Sequence, residues 1–396
     1  MKKILFITTH NLAANPRLVK EIQLAVDNGF SVEVVCFVFR NWSFDANKIL
    51  IEQFSSLRVQ FHCIEAGREA KLNWLRSAIK EKYNRFIAGV FNLKGAGLSV
   101  AVSRRSILLQ KAIQKIKSAD LVIGHNPGAL YPTFYASKKF NCKAGFDVED
   151  YHPGEGNNPF LQKLTKQLMQ ELLPKMDYVS FASPLIKEEV KKDLGAEGKN
   201  WFTLLNYFPS MEFVAPAPIE GPLKLVWFSQ NISFNRGLEQ LIPVLKNNEQ
   251  VELHLFGNCD EEFKIQWFLE INNIVLHSSL PQAQLHKQLA NFDIGLALEP
   301  GKDLNNELAI SNKMLAYFQA GLYILASNTK AQSRFMNEYT GHGNVTTLQP
   351  GELQIVIQKL VESKQQIRAM ANHRFSNAQQ FNWEAESPKL INQFNI

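Results

Sequence analysis

Cysteine is scarce in this sequence. Four cysteines occur among 396 residues, and no two of them form a Cys-x-x-Cys pair. They are Cys36, Cys63, Cys142 and Cys259. This usage argues against a structural zinc site or a disulfide framework, and it suits a reducing compartment.

Long apolar runs are also missing. The opening residues, MKKILFITTH, contain only the short apolar run ILFI, whereas a signal peptide needs about 7 to 15 apolar residues. No stretch approaches the roughly 18 uninterrupted apolar residues of a membrane span. The sequence therefore predicts a protein that stays in the cytoplasm.

The chain has no large surplus of charge, since 43 basic and 37 acidic residues give a net charge of +6. Residues 68–117 are the exception, because this segment contains twelve basic residues and only two acidic ones, Glu69 and Glu81. Aromatic and aliphatic side chains are interleaved with the basic ones, which favours a segment at an anionic membrane surface. An ordinary basic helix pair is the alternative. Nucleic acid is disfavoured because no recognition motif accompanies the charge. The basic residues are Arg68, Lys71, Arg76, Lys80, Lys82, Arg85, Lys94, Arg104, Arg105, Lys111, Lys115 and Lys117.

The order of elements predicts two α/β domains, the default for a chain of this length. Residues 1–35 read as strand, helix and strand, in which Asn15 caps the helix, Pro16 opens it and Gly29 ends it. The same pattern returns after residue 119, and it starts over at residue 223. We interpret residues 1–207 and 223–380 as doubly wound domains, the proline-containing stretch 208–222 as a linker, and residues 381–396 as a C-terminal helix.

Two cations at predicted helix starts indicate an anion site. In residues 309–321, AISNKMLAYFQAG, Ser311 or Asn312 can cap the helix, and Lys313 falls in the first turn, where the helix dipole favours anions. Arg236 and Gly237 open another helix directly after a strand. Together the two helix starts would hold a diphosphate. For either cation alone, a surface salt bridge is the alternative.

Other polar residues follow predicted strands, where open α/β sheets bind ligands. Glu307 can accept from sugar hydroxyls or be a solvated loop acid, while Gln230 and Asn231 can line the site or close a turn. His125 follows the strand LVIG and can polarise a leaving phosphate, bond a sugar hydroxyl or be a structural histidine. The stretch FDVEDYHPGE can hold a metal, supply a base, bind an acceptor sugar or be a solvated loop, and its spacing is not a metal signature. Its titratable residues are Asp147, Glu149, Asp150, His152 and Glu155.

Several segments, taken in order, resemble the group 1 glycosyltransferases, which form family 4 of the retaining, nucleotide-sugar-dependent enzymes. The segments are NPRLVKE, SFNRGLEQLI, HLFGN, HSSLP, SNKMLAYFQAGLYILAS and the terminal FNWE. The resemblance implies the GT-B fold, in which two Rossmann-like doubly wound domains face a central cleft and a C-terminal helix crosses back to the first domain. It also implies a nucleotide-diphosphate sugar as substrate, held mainly by the second domain, with no cofactor and no essential metal.

The resemblance also implies roles by position. Arg236 and Lys313 would contact the donor diphosphate and, with His125 near the transferred sugar, form the catalytic set. Leu280 would lie by the nucleobase. The remaining donor-side candidates are Gln230, Asn231, Gly237, Glu307, Ser311 and Asn312, and the acceptor-side candidates are Asn15, Arg17, Asp150 and His152.

The chain departs from the family pattern at three places. Ala316 occupies the place of the second acid of a pair spaced eight apart, Glu307 is one residue out of register for the first acid, and Gln230-Asn231 replaces the usual arginine.

The implied function is a hexosyltransferase reaction that moves a sugar to a hydroxyl of a glycan or lipid-linked glycan, in surface polysaccharide synthesis. The basic segment would hold the enzyme on the cytoplasmic face of the membrane. Two alternatives stay open. A non-catalytic scaffold of a glycan-assembly complex would explain why alanine stands at position 316 and why the predicted anion site has a single arginine, Arg236. A nucleotide-sugar isomerase would need the carboxylates between Asp147 and Glu155.

Overall fold

The computed structural model describes residues 1–65, 71–246, 248–268 and 271–395. Arg68 and Glu69 of the basic segment lie outside the described residues. The chain forms two compact units, one made of Met1–Leu205 with Ser387–Ile396, the other of Asn206–Glu386. Of residues 381–396, only Ser387–Ile396 belong to the first unit, whereas 381–386 belong to the second.

The first unit is built on a parallel sheet of seven strands in the order β3-β2-β1-β4-β5-β6-β7. Its strands are β1 (Lys3–Thr8), β2 (Ser31–Val38), β3 (Gln60–Glu65), β4 (Leu121–His125), β5 (Lys143–Val148), β6 (Tyr178–Phe181) and β7 (Trp201–Thr203). Its helices before residue 205 are α1 (Pro16–Asp27), α2 (Phe44–Ser56), α3 (Lys71–Val90), α4 (Gly95–Val102), α5 (Arg105–Gln114), α6 (Pro127–Phe140), α7 (Pro159–Leu172) and α8 (Pro184–Leu194).

The second unit is built on a parallel sheet of six strands in the order β10-β9-β8-β11-β12-β13. Its strands are β8 (Leu223–Ile232), β9 (Val251–Cys259), β10 (Ile274–His277), β11 (Ile294–Ala297), β12 (Tyr323–Ser327) and β13 (Gly343–Thr346). Its helices are α9 (Leu238–Leu245), α10 (Glu261–Trp267), α11 (Gln282–Gln288), α12 (Leu304–Leu308), α13 (Asn312–Gln319), α14 (Lys330–Glu338), α15 (Pro350–Glu362), α16 (Lys364–Ala369), α17 (Ala371–Ala378) and α18 (Trp383–Glu386). The last helix of the chain, α19 (Pro388–Asn395), belongs to the first unit.

Side-chain caps fix where several helices begin. Asn15 accepts from the backbone N–H of Leu18, as predicted, and Asn158 accepts from that of Leu161 at the start of α7. Asn126 also precedes a helix-opening proline, but its side chain makes no cap. It adopts φ +71°, and its oxygen instead accepts from Thr8 at the end of β1.

The stretch 208–222, which we interpret as a linker, is part of the second unit and packs within it. Phe213 stacks on His286 with ring centroids 4.9 Å apart, and Glu212 accepts from Nδ1 of His286 at 2.6 Å. The backbone N–H of Ala217 also donates to the carbonyl of Ala290. Buried aromatic surface and satisfied backbone groups hold this segment in place.

Both sheets contain a point where the strand order reverses, between β1 and β4 in the first unit and between β8 and β11 in the second. In open parallel sheets such a point leaves a crevice beyond the carboxyl ends of the strands, and ligands bind there. The chain segments that leave these four strands are therefore the places to look for a site.

Candidate functional site

The segment that leaves β8 carries Arg236 and Gly237, as predicted, at the start of α9. Gly237 takes φ +84°, a left-handed conformation that favours glycine. A Cβ atom on Gly237 would lie 3.0 Å from Cβ of Leu298, so only a residue without a side chain fits comfortably. Arg236 is exposed, and within the described part of the chain it pairs with no carboxylate. The guanidinium is thus available to an anion at a helix N-terminus.

Lys313 lies in the first turn of α13, and Ser311 is the cap, accepting from the backbone N–H of Met314. The Lys313 ammonium has an anion beside it already, because Nζ lies 2.9 Å from Oε1 of Glu299. It also lies 5.5 Å from the ring centroid of the buried Trp227. The expected negative group at this helix start is therefore, in this structure, a carboxylate of the chain itself.

These two helix starts are near neighbours at the switch point of the second sheet. Gly237 contacts Leu298, and the next residue along the chain is Glu299, the partner of Lys313. Leu298 and Glu299 directly follow β11, which is paired with β8. The sequence predicts both cations as candidates, but it does not predict the acid, Glu299, that pairs with Lys313.

The other donor-side candidates lie in several different elements of the second unit. Glu307 lies in α12 and accepts from the backbone N–H of Lys330 at 3.2 Å, a local role at the start of α14. Gln230 and Asn231 continue β8, where Asn231 pairs with Asn258 after a bulge, so they do not close a turn. Asn312 is exposed, and its Oδ1 accepts from Asn206 at 2.8 Å.

Ala316, at the place of the family's second acid, is fully buried within α13. An acidic side chain at this position would extend from a buried part of the helix and not from its exposed surface. The structure thus shows a helix that is packed for a small apolar side chain at this point.

Leu280 follows β10 and lines a cavity of about 430 Å³ in the second unit. The cavity is walled by rings, since His277 stacks on Phe256 with centroids 4.3 Å apart, and Nδ1 of His254 lies 2.8 Å from Nε2 of His277. Burial and the neighbouring His254 lower the pKa of His277. A mostly apolar cavity walled by aromatic rings suits an aromatic ligand group.

In the first unit, His125 ends β4 as predicted, but its side chain is fully buried. Its Nε2 lies 3.3 Å from Glu21 and its Nδ1 3.7 Å from Asp147. Burial lowers the pKa of His125, but the charges of Glu21 and Asp147 outweigh that effect and raise it. The structure therefore places His125 beneath the strand ends and not at a surface that a sugar can reach.

Arg17 belongs to the same buried network. Its Nε and Nη2 donate to the two oxygens of Asp147, each at 2.7 Å, and its Nη1 donates to the carbonyl of Leu204. Burial alone would raise the pKa of Asp147, but Arg17 outweighs burial and lowers it. With its donors used inside the unit, Arg17 is not placed to contact an acceptor, contrary to the expectation.

Glu21, His125 and Asp147 offer ligand atoms that lie within 4.8 Å of one another, a grouping that suits a metal ion. The Arg17 guanidinium, however, already covers both oxygens of Asp147 and would repel a second cation. We interpret the four residues as a compensated ion network that supports the ends of β4 and β5.

Residues that follow β1 and β4 line a cavity of about 200 Å³. Its polar lining includes His10, Arg105, Asn126, His152 and Glu155. His152 is buried, its Nδ1 lies 3.0 Å from Oε2 of Glu155, and its Nε2 has no partner among the described residues. An unpartnered polar atom that lines a cavity is suited to bind a polar ligand.

The two histidines of this cavity have opposite hydrogen-bonding character. Nδ1 of His10 lies 2.9 Å from Oδ1 of Asn126. Because an amide oxygen only accepts hydrogen bonds, Nδ1 of His10 carries the hydrogen, and its Nε2 is left to accept. Burial lowers the pKa of His10. Burial also lowers that of His152, but Glu155 and neighbouring acids outweigh it and raise the pKa to about 8. At neutral pH, His10 thus accepts and His152 donates.

The remaining acceptor-side candidates support this cavity from outside. Asn15 caps α1 and donates to Glu149 at 3.3 Å, and Asn126 donates to the same carboxylate. Burial raises the pKa of Glu149 to about 7. The carbonyl of Asp150 accepts from the backbone N–H of His152, which holds that residue in its turn.

Sequence reasoning missed His10, Asn126 and Glu299 as site residues, although a signal existed for each. His10 and Glu299 each stand two residues beyond a strand, and Asn126 directly follows one. The rule that ligands bind beyond the carboxyl ends of strands applies to all three. What the sequence did not offer was the strand order, which decides which ends lie together.

No protein-family profile and no curated protein matches the chain. Solved structures do match over its whole length. Anabaena HepE in complex with UDP and glucose has a TM-score of 0.68 at 16% identity, covering 100% of both chains. Sucrose-phosphate synthase from Thermosynechococcus elongatus has 0.68 at 13%, covering 100% of this chain and 98% of the other. S. aureus TarM, in complex with ligands that include UDP, has 0.68 at 13%, covering 100% of both chains. These matches show the GT-B fold.

Proposed function

We propose that the protein is a retaining glycosyltransferase, of the group 1 type that its sequence resembles, which moves a hexose from a nucleotide-diphosphate donor to a hydroxyl of a glycan or lipid-linked glycan. The observation that carries the proposal is the pair of cations, Arg236 and Lys313, at two neighbouring helix starts of the second sheet. Binding of UDP by the similar proteins HepE and TarM makes UDP the first nucleotide to test.

The second unit would hold the donor. Its diphosphate would accept from Arg236, from backbone N–H groups at the start of α9 and from Lys313, which would exchange Glu299 for phosphate oxygens. The released Glu299 carboxylate would then be free to accept from hydroxyls of the donor sugar. The nucleobase would occupy the cavity beside Leu280 and stack on its rings.

The first unit would bind the acceptor in the cavity between β1 and β4. Hydroxyls of the acceptor other than the reacting one would donate to Nε2 of His10 and accept from Nε2–H of His152, and these bonds would hold the acceptor in a fixed orientation. The bond from the anomeric carbon to the diphosphate oxygen breaks as the bond to the acceptor oxygen forms on the same face. The acceptor proton passes to the departing diphosphate, whose growing charge Arg236 and Lys313 stabilise. The reaction as proposed needs no metal or cofactor.

Calorimetric titration with UDP, GDP and ADP tests the donor site. We expect the wild-type protein to bind one of them saturably. The Arg236→Ala/Lys313→Ala variant should lose at least about 100-fold in affinity, since each charge-assisted contact contributes about 1.5–3 kcal/mol. The matched control is Lys287→Ala/Lys359→Ala, which removes two exposed cations of the same unit and should leave binding unchanged.

A non-catalytic scaffold is the second candidate, and specific observations favour it. Lys313 is already neutralised by Glu299, and Ala316 is packed as an apolar residue where an acid is usual. Such a protein would bind none of the three nucleotides although it is folded. That outcome would contradict the proposed enzyme, as would equal affinity in the wild type and the Arg236→Ala/Lys313→Ala variant.

A further inference from the structure

Helix α3 presents an exposed stripe of large apolar side chains. Six of them are between 51% and 70% exposed, although leucine, isoleucine, valine and phenylalanine are usually buried. At 3.6 residues per turn, all six fall within about 80° of the helix circumference. We call them the α3 stripe, and they are Leu72, Leu75, Ile79, Tyr83, Phe86 and Val90. A contiguous apolar surface of this kind marks an interaction site.

The opposite face of α3 is the one that packs on the first unit. Ser77 is buried there, and α3 packs against α4, whose residues Leu98–Val102 are buried. The single acid of α3, Glu81, also lies on this side, where it pairs with Arg85 and accepts from the backbone N–H of Arg104. The stripe is therefore the outward face of a helix that is fixed on its other side.

Basic side chains line both edges of the α3 stripe. At 100° per residue, Arg76 and Lys80 project beside one edge, and Lys71 and Lys82 beside the other. All four are exposed. Over the described residues 71–117 the sequence contains eleven basic residues and one acid. An apolar stripe between two rows of cations matches a bilayer surface, where acyl chains lie beneath anionic headgroups.

We propose that the α3 stripe docks the protein on an anionic bilayer, with the helix lying in the plane of the interface. The side chains of the stripe enter the headgroup region, and the flanking Lys and Arg side chains contact lipid phosphates. The charge pattern selects lipid over a second copy of this chain, because two such surfaces would bring their cations together. The proposal does not depend on the proposed sugar transfer.

Docking in the interface fits the helix better than crossing the membrane does. Among the described residues, no single helix is long and apolar enough for a span. One bent pair, Lys71–Val90 with Gly95–Val102, meets the length and composition criteria together, with a bend of 114°. The second helix of that pair is buried within the first unit. Of the two, only the α3 stripe is therefore presented outward.

Co-sedimentation with vesicles tests the proposal, using the full-length protein without nucleotide. The vesicles are phosphatidylcholine with or without phosphatidylglycerol, at low and at high salt. We expect binding to the anionic vesicles, weakened by salt, and at least about tenfold less binding to the neutral ones. The Ile79→Glu/Phe86→Glu variant should lose binding to anionic vesicles.

Two matched controls separate the stripe from general effects. Ile265→Glu/Ile355→Glu adds the same charge at apolar residues of the second unit that are 60% and 58% exposed, and it should bind as the wild type does. Lys80→Gln/Lys82→Gln should weaken binding more than Lys287→Gln/Lys359→Gln, because only the first pair borders the stripe. Circular dichroism and thermal melting confirm that each variant is folded.

Three results would overturn the proposal. The first is equal partitioning into neutral and anionic vesicles, and the second is equal loss of binding in both glutamate variants. The third is a lipid-free dimer that Ile79→Glu/Phe86→Glu dissociates, which would assign the stripe to a second copy of the chain. Because no step uses nucleotide, failure here leaves the donor site untouched, and failure of nucleotide binding leaves the stripe untouched.

Discussion

At the scale of single residues, the chemistry of the first-unit cavity is set by contacts between positions far apart in the sequence. Asn126 fixes the tautomer of His10 from 116 residues away, and Arg17 satisfies Asp147 from 130 residues away. Sequence patterns placed His125 and His152 correctly beside strand ends. They did not reveal that one is buried among acids while the other lines a cavity. How deeply a side chain is buried and which groups it bonds depend on tertiary structure. The roles that were assigned to Arg17 and His125 from their sequence positions alone therefore do not fit their buried places in the structure.

The raised pKa of His152 predicts a pH dependence of stability. The folded protein binds the His152 proton more tightly than the unfolded chain does, since the pKa rises from 6.5 to about 8. This contribution is fully present below pH 6.5 and is lost as the pH rises through about 8. It amounts to about 2 kcal/mol, at about 1.4 kcal/mol per pH unit. His152→Gln should remove it.

Urea denaturation at about pH 6 and about pH 9 measures this effect. Between the two pH values, the wild type should lose about 2 kcal/mol more of its free energy of unfolding than His152→Gln does. The exposed His373→Gln serves as control and should keep the wild-type dependence. If the wild type and His152→Gln show the same pH dependence, the Glu155–His152 pair does not stabilise the protonated ring.

At the scale of elements, local signals in the sequence mark where helices begin and end. Asn15, Asn158 and Ser311 cap the helices that follow them, and Gly29 and Gly321 take positive φ where helices end. Such signals act within a turn of the chain, so they survive without tertiary information. The strand order, in contrast, cannot be predicted from such local signals. It follows from which crossovers are made, and it alone brings β1 beside β4 and β8 beside β11.

Gly321 gives an element-scale prediction. Its φ is +72°, and a Cβ atom there would lie 2.6 Å from the backbone nitrogen of Phe375. Gly321→Ala should therefore lower the free energy of unfolding by more than about 1 kcal/mol, because both the conformation and the space require glycine. Gly351→Ala is the matched control, since this glycine lies in α15 and a Cβ atom added to it would meet no neighbouring atom within 4 Å.

Urea denaturation of both variants tests this prediction. Gly351→Ala should be neutral or slightly stabilising, because alanine favours a helix more than glycine does. Equal unfolding midpoints for the two variants would mean that α17 moves freely away from Gly321. In that case the end of α13 would not be fixed by the contact with Phe375.

At the scale of the whole molecule, each unit has its own core around its own sheet. Leu5, Ile7 and Val35 belong to a buried cluster of the first unit, and Leu225, Trp227 and Leu325 to one of the second. The end of the chain joins the first of these units, because Phe394 in α19 is 2% exposed and packs edge-on against Phe6 and Phe30. Because the cores are separate, a destabilising substitution in one unit should lower the local stability of that unit first.

Phe394→Ala should accordingly destabilise the first unit while sparing the second. Removing a buried phenylalanine costs about 3–5 kcal/mol, and the loss falls on β1 and on the segment around Phe30, whose rings lie against that of Phe394. Hydrogen exchange followed by mass spectrometry should show faster exchange of β1 amides and unchanged exchange of β12 amides. Phe91→Ala, at a position 65% exposed in the same unit, should alter neither. Equal acceleration of β1 and β12 in Phe394→Ala would mean that the two sheets unfold as one cooperative body, and α19 would then stabilise the whole molecule.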